Sequence, residues 1–446
     1  MEKLTLERRN FLKKILAGLP LLALDWEAFP RGALKYSGET PYDAVIIGAG
    51  LGGLSCAAAL VRQGFKPLVL EQHRIPGGYA TTFKRSGGFV FDVSLHSTAV
   101  GERNGIVNLI PGFPEITDVK FVPHRTLYRA IYPEHDIRVP HKNIPAYIKI
   151  LQKEFPDEKE GIAALFKDMQ GFNDDLNKYN RAGGRVDMSR FVQDFPYLAK
   201  NIGRTWGAMM GDRIKDPKLQ AIVSGLWGYF GLPPSKLSSL YYAMPTIGYL
   251  QEGGYYPIGR SQAISNALAD FIISRGGEIK YRTRVERILI KDHTAYGVRT
   301  KDSSEYLAKV VVSNANAFDT FYKMMDEKVY LKKYLDRMAT FTASASSFQV
   351  WLGLNTDLIR KLGIKDTEVK EIATPLTNVR YTSNYRGAIY GWDQTVANSM
   401  PRRLAPKTPI RNLYLSGAWT QPGGGYGACL PSGLMCFGQI MQDWKR

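Results

Sequence analysis

The chain has 446 residues, enough for two or three domains around a large buried core, and its 44% hydrophobic content is ordinary for a globular protein. No run of about 20 apolar residues follows the N-terminal segment, which excludes an internal membrane-spanning helix. The formal net charge is +18; residues 1–36 hold seven Lys/Arg against four Asp/Glu, a net of +3, so the remainder carries +15. Such a surface attracts anionic lipid or an acidic partner, although a merely solvated basic surface accounts for the charge equally well. The basic residues are scattered and no nucleic-acid motif is visible, so no nucleic-acid partner is expected.

The N-terminus runs MEKLTLERRNFLKKILAGLPLLALDWEAFP. Arg8 and Arg9 precede Asn10, Phe11, Leu12 and Lys13, and a short apolar run, Ile15–Leu24, follows. Residues 1–36 therefore resemble a twin-arginine export signal and linker, a route that carries folded proteins. The apolar run is too short for a stable membrane span. After it, Asp25-Trp26-Glu27-Ala28 offers no clean small-residue cleavage site. A basic amphipathic helix that docks on the protein or on a membrane is the alternative.

Tyr42–Glu71 is the most informative stretch. A strand, Ala44–Ile47, leads into Gly48-Ala49-Gly50-Leu51-Gly52-Gly53, then an Ala/Leu-rich helix, then a strand, Pro67–Leu70, that ends in Glu71. Gly48 permits the tight turn, Gly50 lets backbone approach a pyrophosphate, and Gly53 lets helix and strand pack closely. The helix N-terminus turns free N–H groups toward the phosphates, and Glu71 can accept from a ribose hydroxyl. The pattern predicts a dinucleotide site; a glycine turn that binds nothing is the alternative.

Next come Gly77 and Gly78, and a strand-like alternation over Gly88–His96. From about Gly101 to Leu250 the pattern is mostly helical, with periodicity over Ile144–Phe155, Glu160–Tyr179, Tyr197–Met210 and Pro217–Trp227, and a helix start at Pro233-Pro234. This region is rich in Trp, Tyr, Phe and Met, including Trp206, Met209, Trp227, Tyr241, Tyr242 and Met244. At helical spacing such residues are core more often than pocket. Nucleotide-domain texture returns with Gly253–Gly259, a helix over Ser261–Arg275, and strands Glu278–Tyr281, Val285–Ile290, Ala295–Thr300 and Ala308–Ser313 ending at Asn314. After an excursion with a strand at Ser347–Leu354 and a loop at 374–378, Asn412–Gly417 reads as a strand into a glycine turn, with a terminal helix from about Ala428.

The expected fold is α/β: a Rossmann-like domain, discontinuous in sequence (42–100, 251–316 and 405–446), with a second α+β substrate domain from 101–250 and 317–404. Of the three cysteines, Cys429 and Cys436 stand seven apart in one expected helix, about 10 Å along its axis and too far for a disulfide. With Cys56 they read as buried thiols, and no metal-ligand spacing is present.

Four blocks, DAVIIGAGLGGLSCAAAL at 43–60, PGGYATTF at 76–83, GGYYPIGRSQ at 253–262 and NLYLSGAWTQPGGGYGACLPSG at 412–433, resemble in order and spacing the FAD-dependent oxidoreductases that include phytoene desaturases, carotenoid isomerases and retinol saturases. The resemblance covers residues 42–446. It implies that Gly48, Gly50, Gly52 and Gly53 hold the FAD pyrophosphate and Glu71 the adenosine ribose. It places Gly77 and Gly78 beside the flavin, Val285 beside the adenine, and Gly417, Gly427 and Ala428 along the ribityl chain and ring. Tyr79 stands where many relatives have Arg, and Gly417-Ala418-Trp419 stands in place of the wider class's Gly-Asp.

FAD implies redox chemistry at carbon or a flavin-assisted isomerisation. The resemblance favours an apolar polyene, isoprenoid or lipid as substrate. An amine-oxidase-like enzyme and a lipid or pigment carrier with structural FAD are the alternatives. No triad or paired carboxylate stands out. His96 is the candidate catalytic residue, against a plain structural histidine; Tyr381 and Tyr390 are further candidates. Export implies a location in the periplasm or on the outer face of the membrane, and a membrane quinone or cytochrome as electron partner; a cytoplasmic, membrane-associated protein is the alternative.

Overall fold

The computed structural model describes residues 41–446 apart from 86–87, 100–112, 114, 117–118, 182–185, 188, 327–330, 348, 353–368, 374–379, 381, 400–401 and 445–446. Arg8 and Arg9, the 374–378 loop and Tyr381 lie outside the described residues.

A seven-stranded sheet organises the chain. Five strands run parallel in the order Glu278–Lys280, Pro67–Leu70, Tyr42–Ile47, Glu305–Ser313 and Leu413–Leu415. The covered strands carry near-continuous apolar runs such as PLVL and LYL because helices or loops cover both faces, whereas the edge strand Glu278–Lys280 is half-buried and largely charged. Val285–Lys291 and Thr294–Thr300 form an antiparallel hairpin that extends the sheet through the first residues of Glu305–Ser313. Its two-residue turn, Asp292-His293, has φ of 49° and 58°, the left-handed pair that matches the twist of the flanking strands.

On one face lie the helices Leu51–Arg62, Arg260–Ser274 and Tyr426–Trp444. The first and last meet at Gly433, where a Cβ would stand 2.3 Å from the Gly52 carbonyl oxygen, so only glycine allows that approach. On the other face, Val45, Ile47, Leu68 and Leu70 pack against Ala317, Phe321, Met338, Trp392 and Leu404. The 317–404 segment, expected from sequence in the second domain, thus divides. Much of it covers this sheet face, which would otherwise expose apolar strands to water. The remaining hairpin, Gln349–Leu352 with Val369–Ala373, leans on the Thr82–Lys84 and Val90–Asp92 hairpin: Trp351 donates to the Asp92 carbonyl and meets the Phe83 ring edge-on at 5.0 Å.

The second core gathers Ile144–Glu154, Lys159–Arg181, Pro196–Asn201, Trp206–Gly211, Pro217–Val223 and Ser239–Glu252. Three expectations are corrected. The helix expected over Tyr197–Met210 is two helices, broken at Gly203 (φ 83°) and restarted by Thr205, whose hydroxyl accepts from the Ala208 amide. The helix expected over Pro217–Trp227 ends at Val223 and is followed by a short 3-10 turn, Trp227–Phe230. Pro233-Pro234 starts no helix: the 233–238 backbone pairs with 205–207 instead, through Trp206 N–H to Leu237 O (2.7 Å) and Gly207 N–H to Pro234 O (2.8 Å). The sequence pattern also missed a hairpin, Thr126–Ile131 with Asp136–Pro140, which adds Ile137 and Val139 to this core. Among the described residues no helix is long and apolar enough to cross a membrane.

Candidate active site

Three glycine turns far apart in sequence meet at the carboxyl ends of the parallel strands, where α/β sheets gather ligand sites. Gly48 (φ 94°) ends the first strand. Gly50 bridges Gly77, and the Gly77 amide donates to the Ala49 carbonyl at 2.7 Å. A Cβ on Gly52 would lie 2.5 Å from the Gly417 amide nitrogen. Asn314, at the end of its strand, closes the group: its Nδ2 donates to the Gly48 carbonyl at 3.3 Å, and its Oδ1 would stand 2.3 Å from a Cβ on Gly417. The sequence reading gave Asn314 no role; a polar residue ending a parallel strand was the signal for it.

Glu71 is buried at 8% exposure, and its two carboxylate oxygens accept from the Ala49 and His73 amides at 2.7 Å each. Burial pushes its pKa up and the amide hydrogen bonds oppose that rise.

One cavity of about 1030 Å³ starts at these turns. Gly48, Gly50, Gly52 and Glu71 line its first part with Gly77, Gly78 and Val285. Gly417, Gly427 and Ala428 line the next part, and His96 a further stretch. Gly53 is not in the wall. It packs the helix on the turn, where a Cβ would lie 2.2 Å from the Gly48 carbonyl oxygen.

The terminal helix begins at Tyr426 with no acidic residue in its first turn, so its positive dipole end faces the cavity uncompensated. Tyr390 sits against this turn, its backbone 2.5 Å from where a Gly424 Cβ would be. Its hydroxyl donates to the Tyr229 carbonyl, and burial pushes its pKa up to about 12. Cys429, in the wall, is likewise pushed up to about 12 by burial and remains a neutral thiol. His96 stacks on Tyr229 with centroids 4.2 Å apart. Burial lowers its pKa, a hydrogen bond with the Ser94 backbone raises it, and the neighbouring His124 lowers it further, so the ring is neutral at pH 7.

Beyond these residues the wall turns apolar. Leu240, Tyr241, Met244, Pro245, Gly248 and Tyr249 present one face of the Ser239–Glu252 helix, joined by Leu226 and Phe230. The aromatic and Met-rich region thus splits: Tyr241 and Met244 are pocket, whereas Trp206, Met209 and Tyr242 are buried core.

A family model described as flavin containing amine oxidoreductase matches residues 51–317. The chain belongs to that family. It is 27% identical to prolycopene isomerase 1, chloroplastic, of an Oncidium hybrid cultivar, over 90% of this chain and 84% of that protein. It is 29% identical to the neurosporene-forming phytoene desaturase of Rhodobacter capsulatus, over 65% of this chain and 57% of that protein. An all-trans-retinol 13,14-reductase of Danio rerio is 26% identical over 72% and 55%. Among solved structures, an oxidoreductase from Methanosarcina mazei aligns with a TM-score of 0.60 at 18% identity, covering 90% of this chain and 99% of that one. A putrescine oxidase aligns at 0.59 and 13%, with the same coverage. Both show the fold.

The protein is therefore a flavin-dependent oxidoreductase with FAD as its cofactor. The residues fit that group. Side chains at Gly50, Gly52 or Gly417 would collide with Asn314 or the facing turn, so these turns stay bare backbone, no side chain caps the Leu51–Arg62 helix, and an acid ends the second strand. Gly48, Gly50 and Gly52 would hold the pyrophosphate and Glu71 the ribose. Tyr79 donates to the Gly387 carbonyl at 3.3 Å, so it ties segments together and supplies no charge. Arg74 and Arg284 also line the wall and would be available to balance the phosphates.

Proposed function

We propose that this enzyme acts on C–C or C=C bonds of an apolar polyene, isoprenoid or lipid, by desaturation, saturation or isomerisation. One observation carries the reading: a single cavity runs from the glycine turns, past the Tyr426 helix end, to the apolar face of the Ser239–Glu252 helix. Glu71 and Asp319 are the carboxylates in its described wall, and none lies on the stretch of the Ser239–Glu252 helix that lines it. The relatives' names, prolycopene isomerase, phytoene desaturase and retinol reductase, refer to isoprenoid chains. Bound FAD supplies a two-electron acceptor or donor. The chain's own residues grip the substrate, exclude water and manage one proton. His96, neutral and in the wall, is the side chain suited to accept it.

The resemblance of residues 1–36 to a twin-arginine signal, together with the +18 charge, supports action at a membrane surface outside the cytoplasm, with a quinone or cytochrome as electron partner. Fractionation that recovers the protein only from the cytosol overturns that part.

Anaerobic mixing of purified holoenzyme with an extracted isoprenoid fraction tests the activity. Bleaching of the flavin, or conversion of the isoprenoid, supports it. Turnover of amines with peroxide release supports the amine-oxidase reading, and tight lipid retention with an unchanged flavin and lipid supports a carrier.

A further inference from the structure

Arg403 is fully buried, yet its donors meet only backbone oxygens: Nη1 to Ala418 O at 2.9 Å, and Nη2 to Trp392 O at 2.8 Å and Asp393 O at 3.1 Å. Its Nε has no partner in the structure, and among the described residues its recorded partners include no carboxylate. The nearest acid in sequence, Asp393, is engaged by Thr395 and Asn398. Burying an unpaired cation is expensive, and a protein that keeps one gains by having a negative charge to place beside it.

The place where that charge arises follows from the surroundings. Arg403 lies one layer behind the 417–425 segment: it holds the Ala418 carbonyl, and its Cζ would be 3.3 Å from a Cβ on Gly423. Ala418, Trp419, Pro422 and Gly424 form cavity wall on the other side of the same segment. Tyr241, which faces the cavity, has its ring centroid 5.6 Å from the guanidinium and its hydroxyl on the Pro422 carbonyl. The Tyr426 helix end, with no acid in its first turn, converges on this wall from the next residues. Two positive sources thus back the stretch that the family resemblance sets beside the flavin ring.

Reduction of a flavin by two electrons and one proton leaves one added negative charge on its ring system. We propose that Arg403 is the fixed positive charge that stabilises this anion and so sets the enzyme's reduction potential. It acts through the wall, touching neither substrate nor reacting atoms, as preorganised electrostatic support. The inference rests on FAD occupying this cavity and is independent of which substrate is used.

Sulfite titration tests it, because sulfite adds to a bound flavin only as far as the resulting ring anion is stabilised. Wild type, Arg403→Gln and Arg403→Lys are purified as holoenzymes, and their sulfite Kd and midpoint potential are measured. Loss of the charge in R403Q is expected to weaken sulfite binding tenfold or more, equivalent to about 30 mV for a two-electron couple. R403K keeps the charge and is expected to stay within threefold of wild type. A yellow, folded R403Q with wild-type affinity overturns the proposal, as does R403K failing as badly as R403Q, which would mark a purely structural arginine. If R403Q yields no holoprotein, wild type decides: photoreduced at pH 6, its spectrum is expected to be that of the anionic reduced flavin, and the neutral form overturns the proposal. No arm uses an isoprenoid, so failure here is distinct from failure of the substrate reading.

Discussion

Gly52 and Gly417 touch across the floor of the cavity: a Cβ on Gly52 would lie 2.5 Å from the Gly417 amide nitrogen and 2.6 Å from its Cα. Both obstacles are backbone, so no side-chain rotation relieves the clash. Gly52→Ala is expected to push the last glycine turn off the first. Overpacking of this kind costs about 1–3 kcal/mol, which lowers FAD affinity roughly five- to 150-fold if the strain falls on the holo geometry. Fluorescence titration of apoprotein with FAD measures it; unchanged affinity would separate the two turns functionally.

Glu71 is expected to make stability fall as pH rises above the ordinary glutamate range. Its carboxyl is raised by burial, so between its unfolded and folded pKa values the native chain holds a proton that the unfolded chain has released. The unfolding free energy therefore declines across that window and levels off above it. Glu71→Gln removes the titration but leaves one amide facing a donor instead of an acceptor, a mismatch costing about 1–3 kcal/mol. The difference in Tm between apo wild type and E71Q, followed from pH 4 to 8, should shrink with rising pH as wild type loses its low-pH advantage. A difference that widens instead contradicts the burial argument.

The nucleotide half was legible because its parts are local. A strand, a glycine turn, a helix and an acid stand in consecutive residues, and each has one physical use. Asn314 was legible only as a polar residue ending a strand; its role is spatial, because it stands between Gly48 and Gly417, which the sequence does not show to be neighbours. The hairpin escaped because Thr126–Ile131 alternates weakly, and the clean alternation of Asp136–Pro140 spans only five residues inside a region that reads as helical. Tyr241 and Tyr242 show the remaining gap. Adjacent on one helix, they face cavity and core respectively, and only the neighbouring helices decide which is which.

Gly248 separates cavity from fold. It lies within the Ser239–Glu252 helix, lines the apolar stretch, and a Cβ there would meet nothing within 4 Å. Gly248→Leu should raise helix stability by up to about 1 kcal/mol, because glycine is a poor helix residue. FAD affinity should be unchanged, while isoprenoid turnover falls at least tenfold as the side chain fills the substrate's path. A more stable variant with full turnover would show that the substrate lies elsewhere.

His96 should govern an acid limb in the pH–rate profile. Its pKa is lowered from the ordinary 6.5, so the ring stays neutral until the pH falls below that value and protonation then removes the acceptor lone pair. Turnover is expected to be flat above about pH 6.5 and to drop on the acid side. His96→Gln keeps a polar group of similar reach without basicity; it should lose roughly 100-fold or more in turnover, keep FAD affinity, and lose the acid limb. His96→Phe preserves the stack on Tyr229, so a full rate in H96F would reduce His96 to a packing residue, whereas equal losses in both variants would assign it the proton.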